Sequence, residues 1–259
     1  MARNRSIFLK ISGPLGLKAR TNLLRRCLAV WPRRSKKLLE INCGKGFFLP
    51  FLWEHGFDVT ATERDQDLRS RAVEHAGFRA EVVLACSDHL PFDDDAFDWT
   101  ILHIADDDAA TFENSLNEAL RVTTGGMVVT FWNSASLSYL AHKLGGGKFW
   151  PWPRFNCLGV WRELKKAGAG RLTMMSVLSG PPCTWNSRRS SFFGDMITRA
   201  LPLGAWCVIR MDIAPSRAVT PLPIRLANAR FASSQPVMEW RCGKSLNTKI
   251  KQKRNKLTP

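Results

Sequence analysis

Leu38-Leu39-Glu40-Ile41-Asn42-Cys43-Gly44-Lys45-Gly46 is the stretch that decides the reading of this chain. A short apolar strand ends in an acid and enters a glycine turn ahead of a new helix. This is the form of a loop that receives a nucleotide-type cofactor, because glycines let the backbone approach a ligand closely. About eighteen residues beyond Glu40 a second strand begins, Asp58 to Thr62, and ends in Glu63. An acid at that second tip is placed to hydrogen-bond a ribose diol. The dinucleotide fingerprint needs a third glycine, but Leu49 stands in its place, which disfavours NAD. Carboxylates at Glu40, Glu63 and Asp88, with the run Asp93-Asp94-Asp95, would repel phosphate and welcome a cation.

S-adenosylmethionine suits that pattern: it has an adenine and a ribose, no phosphate, and both a sulfonium and an ammonium. At Glu40, Asn42, Gly44 and Gly46 the sequence resembles the first motif, acid-x-Gly-x-Gly-x-Gly, of the class I S-adenosylmethionine-dependent methyltransferases. The resemblance is to the broad group that includes the ubiquinone/menaquinone-biosynthesis enzymes (methyltransferase type 11). It continues through Asp88, Leu90-Pro91-Phe92, Phe97-Asp98 and Thr123-Thr124-Gly125-Gly126, covering roughly residues 37 to 133. Two positions depart from the family. Asn42 replaces the first glycine, tolerable because Asn enters the left-handed region more readily than other non-glycine residues. Lys45 puts a cation where a small polar residue is usual.

The resemblance implies a set of cofactor-contact residues. Glu40 is expected near the ammonium or ordering the loop, and Asn42, Cys43, Gly44 and Gly46 would form the loop itself. Glu63 would take the ribose hydroxyls, with Arg64 beside it. Asp88 resembles the acid that meets the adenine amino group, next to His89. Leu102 and His103 follow the fourth strand, where the family faces the methyl group, which makes His103 the one candidate for a general base. No metal is assigned. Asp106, Asp107 and Asp108 read as helix-start acids that favour the dipole. Gly180-Pro181-Pro182-Cys183 is not read as a nucleophile motif, since it follows the sixth strand rather than the fourth and lacks the adjoining Gln. No nucleobase-amino methyltransferase motif stands at Leu102-His103-Ile104-Ala105, which takes support from nucleic acid as substrate.

Composition bounds the rest. Seven scattered cysteines without a C-x-x-C pair indicate a reducing compartment, and no apolar run is long enough to cross a bilayer. The expected location is therefore cytoplasmic, with peripheral membrane contact allowed by the charge pattern. The net charge of +16 is uneven: residues 1 to 37 carry eleven basic and no acidic residues, residues 38 to 125 six basic and eighteen acidic, and residues 126 to 259 twenty-one basic and four acidic. Basic flanks around an acidic centre would attract an anionic acceptor, RNA or an anionic membrane surface. Seven of ten tryptophans lie beyond residue 130, and Trp150 and Trp152 beside Lys148 and Arg154 could cover a hydrophobic acceptor.

The expected architecture is α/β and Rossmann-like, a seven-stranded, mostly parallel sheet with an antiparallel last strand and helices on both faces. Residues 1–36 form a basic N-terminal helical extension, its helix near residues 15 to 31 with Arg20, Arg25 and Arg26 on an outer face. Residues 37–133 form the S-adenosylmethionine-binding core. Residues 134–240 supply a lid, a substrate-side segment and the last strands, with a short amphipathic helix near Phe192 to Leu201. Residues 241–259 are a basic, disordered tail. The expected function is transfer of a methyl group to a small or lipid-like hydrophobic acceptor. The alternatives are an RNA-directed methyltransferase and a non-catalytic binding protein of the same fold.

Overall fold

The structure, a computed structural model, describes residues 14–104, 109–144, 155–168, 170–179, 198–199 and 203–213, all within one compact unit spanning Met1–Arg217. Its strands are β1 Lys36–Ile41, β2 Phe57–Glu63, β3 Ala80–Leu84, β4 Phe97–His103, β5 Thr123–Trp132, β6 Arg171–Val177, β7 Thr198–Arg199 and β8 Trp206–Asp212. Its helices are α1 Pro14–Leu28, α2 Leu49–Glu54, α3 Gln66–Ala76, α4 Ala109–Arg121, α5 Leu137–Leu144 and α6 Cys157–Ala167. The sheet order is β3-β2-β1-β4-β5-β8-β6-β7. Strands β3, β2, β1, β4 and β5 pair in parallel, and β8 pairs antiparallel with both β5 and β6. The expected seven strands are all present, and the two-residue β7 adds an eighth at the edge by pairing with Met175 and Ser176.

Side-chain alternation along β1 shows how the sheet is buried. Leu38 enters a core formed with α1, α2 and α3, while Leu39 and Ile41 enter a second core with α4 and α6 on the other face. A strand apolar on both faces needs helices on both sides. Glu40, next but one after Leu38, shares the face of the first core at the tip of the strand.

Local chemistry fixes several helix ends. The Asp65 carboxylate accepts from the backbone N–H groups of Asp67 and Leu68 to start α3, and Gly77 ends it at φ 59. Asn156 caps α6 by accepting from Leu158 N–H. Beyond α1, Trp31 stacks on Trp99 at 4.3 Å and donates Nε1–H to Asp212. Arg210 donates to the carbonyl of Cys27 near the end of α1, where a cation also meets the negative end of the helix dipole.

Gly125 and Gly126 lie inside β5, where a Cβ at either would collide with backbone or with the Trp99 ring that packs there. Two expectations change. Thr198 and Arg199 are strand, not part of a helix spanning 192 to 201, since their backbone completes the ladder at the edge of β6. Arg20 points inward rather than to an outer face, for a reason given below. The acids Asp106 to Asp108, the Gly145–Pro153 part of the lid, Cys183 and the tail from Arg241 lie outside the described residues. No helix among the described residues is long and apolar enough to cross a membrane.

Candidate cofactor and transfer site

The loop after β1 turns on three residues with positive φ: Asn42 at 58, Gly44 at 60 and Gly46 at 69. The two glycines do different work. A Cβ on Gly46 would lie 2.8 Å from Leu49 Cδ1 and 3.1 Å from the Cα of Ala72, so this glycine lets the loop and α2 close onto α3. A Cβ on Gly44 would meet nothing within 4 Å, so its backbone borders open space that a ligand can approach.

Glu63 ties the tips of β1 and β2 together. Its Oε2 accepts from Gly44 N–H at 2.7 Å and its Oε1 from Asp65 N–H at 3.1 Å. Each carboxylate oxygen can accept a second hydrogen bond, so this use leaves capacity for a diol. Glu40 is fully buried; Oε1 meets His103 Nε2 at 2.8 Å, while Oε2 is buried without a hydrogen-bond partner. An orphaned carboxylate oxygen is costly and calls for a cationic donor. Burial, reinforced by Glu40 and Glu63, pushes the Cys43 thiol pKa upward, so Cys43 stays protonated and is no nucleophile.

His103 is held on both nitrogens, Nε2 against Glu40 and Nδ1 against the Thr130 hydroxyl, and its ring stacks 5.6 Å from Phe48. With Nε2–H donating to the carboxylate, Nδ1 accepts from Thr130, and no ring lone pair is left for an acceptor's proton. This geometry makes His103 a residue that orients Glu40, and work as a base would require one of these bonds to break. Asn42 Nδ2 donates to the carbonyl of His103 at 3.0 Å, joining the β1 and β4 tips.

Asp88 and His89 are exposed on the loop between β3 and β4, as Arg64 is beyond β2 and Lys45 on the glycine loop. A clamp under α4 fixes the Asp88 loop. Arg121 donates to the carbonyls of Leu90 and Phe92, and Glu118 accepts from Leu90 N–H. The Arg121 guanidinium holds the Glu118 carboxyl down, to a pKa of about 2. Leu102 turns into the core on the α4 and α6 face and supplies only a wall. At the tips, the crevice between Asn42, His103, Ser87 and Phe112 measures about 10 Å³, room for one water. A nucleoside needs its rim to yield.

A neighbouring cluster was not read from the sequence. The Arg20 guanidinium lies 5.8 Å from the Phe48 ring, 5.7 Å from Trp132 and 5.9 Å from Trp206. These rings draw it inward, each such contact being worth about 0.5–2 kcal/mol. Burial lowers its pKa to about 10, so it remains charged at neutral pH. Leu17, Ala19, Leu23 and Leu24 signal the inner face of α1, and the aliphatic stem of an Arg among them was the available clue.

The parallel sheet with an antiparallel β8 and a glycine loop after β1 define an α/β methyltransferase fold. Residues 39–130 match the methyltransferase domain family, and the fold is similar to that of solved S-adenosylmethionine-dependent methyltransferases. No curated protein matches the chain. A methyltransferase from Thermotoga maritima, described as a possible histamine N-methyltransferase, is similar at TM-score 0.57 and 18% identity over 76% of this chain and 99% of that one. A methyltransferase from Aquifex aeolicus is similar at 0.54 and 16%, covering 81% and 98%. Magnesium protoporphyrin IX methyltransferase from Synechocystis, solved with S-adenosylhomocysteine, is similar at 0.53 and 9%, covering 76% and 82%. At these identities the likeness is one of fold.

Proposed function

We propose that the chain binds S-adenosylmethionine at the β1 and β2 tips and transfers its methyl group to a small or lipid-like hydrophobic acceptor. The observation that carries this reading is the buried, unpartnered Oε2 of Glu40 beside the open backbone of Gly44. Glu40 would accept from the ammonium, Glu63 from the ribose hydroxyls, and the exposed Asp88 from the adenine amino group. When bound, the sulfonium supplies an activated carbon for in-line displacement, so the chain's task is positioning and exclusion of water. His103 keeps Glu40 aimed, Asn42 locks the two strand tips, and Phe48 with Trp132 and Trp206 offers apolar walls to an acceptor.

The small crevice and the fully engaged His103 favour a second reading, a methyltransferase fold that binds a partner without turnover. Release of S-adenosylhomocysteine on mixing protein, cofactor and fractionated metabolite, lipid and RNA extracts separates them. Stimulation by the lipid or metabolite fraction supports the first reading. Cofactor binding without stimulation by any fraction supports the second, and stimulation by RNA alone overturns the choice of acceptor.

A further inference from the structure

Arg20 is an incompletely paired cation at the edge of the transfer site. Its Nε–H donates weakly to the carbonyl of Gly16 at 3.3 Å, and none of the ion pairs among the described residues includes it. Three aromatic rings hold the guanidinium in place, but rings accept no bidentate hydrogen bond, so among the described residues its planar fork of donors is left for an anion. The two buried acids at the strand tips make their hydrogen bonds away from Arg20, Glu40 with His103 and Glu63 with the backbone of Gly44 and Asp65.

Position separates this cation from the cofactor groups. Trp132 ends β5 and Trp206 begins β8, across β4 from the β1 and β2 tips where Glu40 and Glu63 stand. Phe48 bridges the halves, 5.8 Å from Arg20 and 5.6 Å from the His103 ring, so the cation and the transfer site are separated by little more than one aromatic side chain. A ligand reaching from one to the other would be small, apolar in its body and anionic at its far end.

We infer that Arg20, framed by Phe48, Trp132 and Trp206, binds the carboxylate of the methyl acceptor and sets its reacting atom toward His103. This rests on the methyl-transfer reading and names its substrate class: a small carboxylic acid with an aromatic or acyl body. The guanidinium holds the carboxylate in a bidentate pair, while the indoles exclude water from it.

The test compares acids with their neutral esters. Calorimetry with and without S-adenosylhomocysteine measures binding of 4-hydroxybenzoate, octanoate and the methyl ester of each. Wild type is expected to bind at least one acid ten-fold or more tighter than its ester, and Arg20→Gln to abolish that preference while keeping its affinity for S-adenosylhomocysteine. Equal binding of acid and ester, absence of binding by all four, or a preference that survives Arg20→Gln overturns the inference. Should Arg20→Gln not fold, the wild-type ratio and an Arg20→Lys variant decide, the latter expected to retain a reduced preference. A parallel arm compares S-adenosylmethionine with its decarboxylated form. Loss in Arg20→Gln of affinity for the first alone assigns Arg20 to the cofactor's own carboxylate and overturns the acceptor assignment. Failure of wild type to bind any adenosyl ligand defeats the methyl-transfer reading separately.

Discussion

The two halves of the strand-tip edge are built from opposite charges. At β1 and β2 two buried carboxylates surround a glycine loop with open backbone; at β5 and β8 a guanidinium stands among three rings with no acid paired to it among the described residues. The His103 ring lies between, bonded to the acidic side through Glu40 and stacked toward the other through Phe48. The lesson is that one sheet edge can present a cation site and an anion site side by side. Each half leaves a polar group unsatisfied in a way that a hydrophobic core alone would not select.

The contrast breaks hardest at Gly46. Gly46→Ala is expected to cost about 3 kcal/mol, from overpacking against Leu49 and Ala72 added to a strained positive φ. A denaturant melt checks it, and a loss below 1 kcal/mol would show that the loop can move away from α3. Glu40→Gln is expected to act in opposite directions on two readouts. Cofactor affinity should fall about 30-fold, roughly 2 kcal/mol, because the buried unpartnered oxygen that would accept from the ammonium is replaced by an amide. Stability of the free protein should hold or rise, because a buried charge with an orphaned oxygen is removed.

Gly44→Ala should weaken cofactor binding about ten-fold and cost about 1 kcal/mol of stability, since only its φ is strained and nothing in the protein meets the new methyl. Comparable stability losses in the two glycine variants would erase the distinction between a packing glycine and a ligand-facing one. The smallest effect concerns the clamp beneath Asp88. The folded pKa of Glu118, about 2, lies below its unfolded value, so its stabilisation is present above that unfolded value and lost as pH falls toward 2. At neutral pH Glu118→Gln should cost about 1 kcal/mol, a figure discounted for partial exposure, and the difference in Tm from wild type should vanish near pH 2. A difference independent of pH would mean that the pair with Arg121 carries no weight.

Much of the cofactor half was legible in the sequence because its determinants are local. The Asn42 side chain permits the positive φ where the family has glycine. The acids at the first two tips could be placed by counting along two strands. What escaped depends on residues distant in the chain. Thr130 and Glu40 occupy both His103 nitrogens from separate strands, and the need for glycine at 125 and 126 shows only once the Trp99 ring and neighbouring backbone are packed there. Arg20 looked solvated beside Arg25 and Arg26, because nothing near it in sequence announces Phe48, Trp132 and Trp206.

The most direct test is a calorimetric titration of wild type and Glu40→Gln with S-adenosylmethionine. The account predicts one site on the wild-type chain and affinity about 30-fold weaker in the variant. No binding by wild type, or equal binding by both, would contradict the claim that the unpaired oxygen of Glu40 marks the place of a positively charged adenosyl ligand.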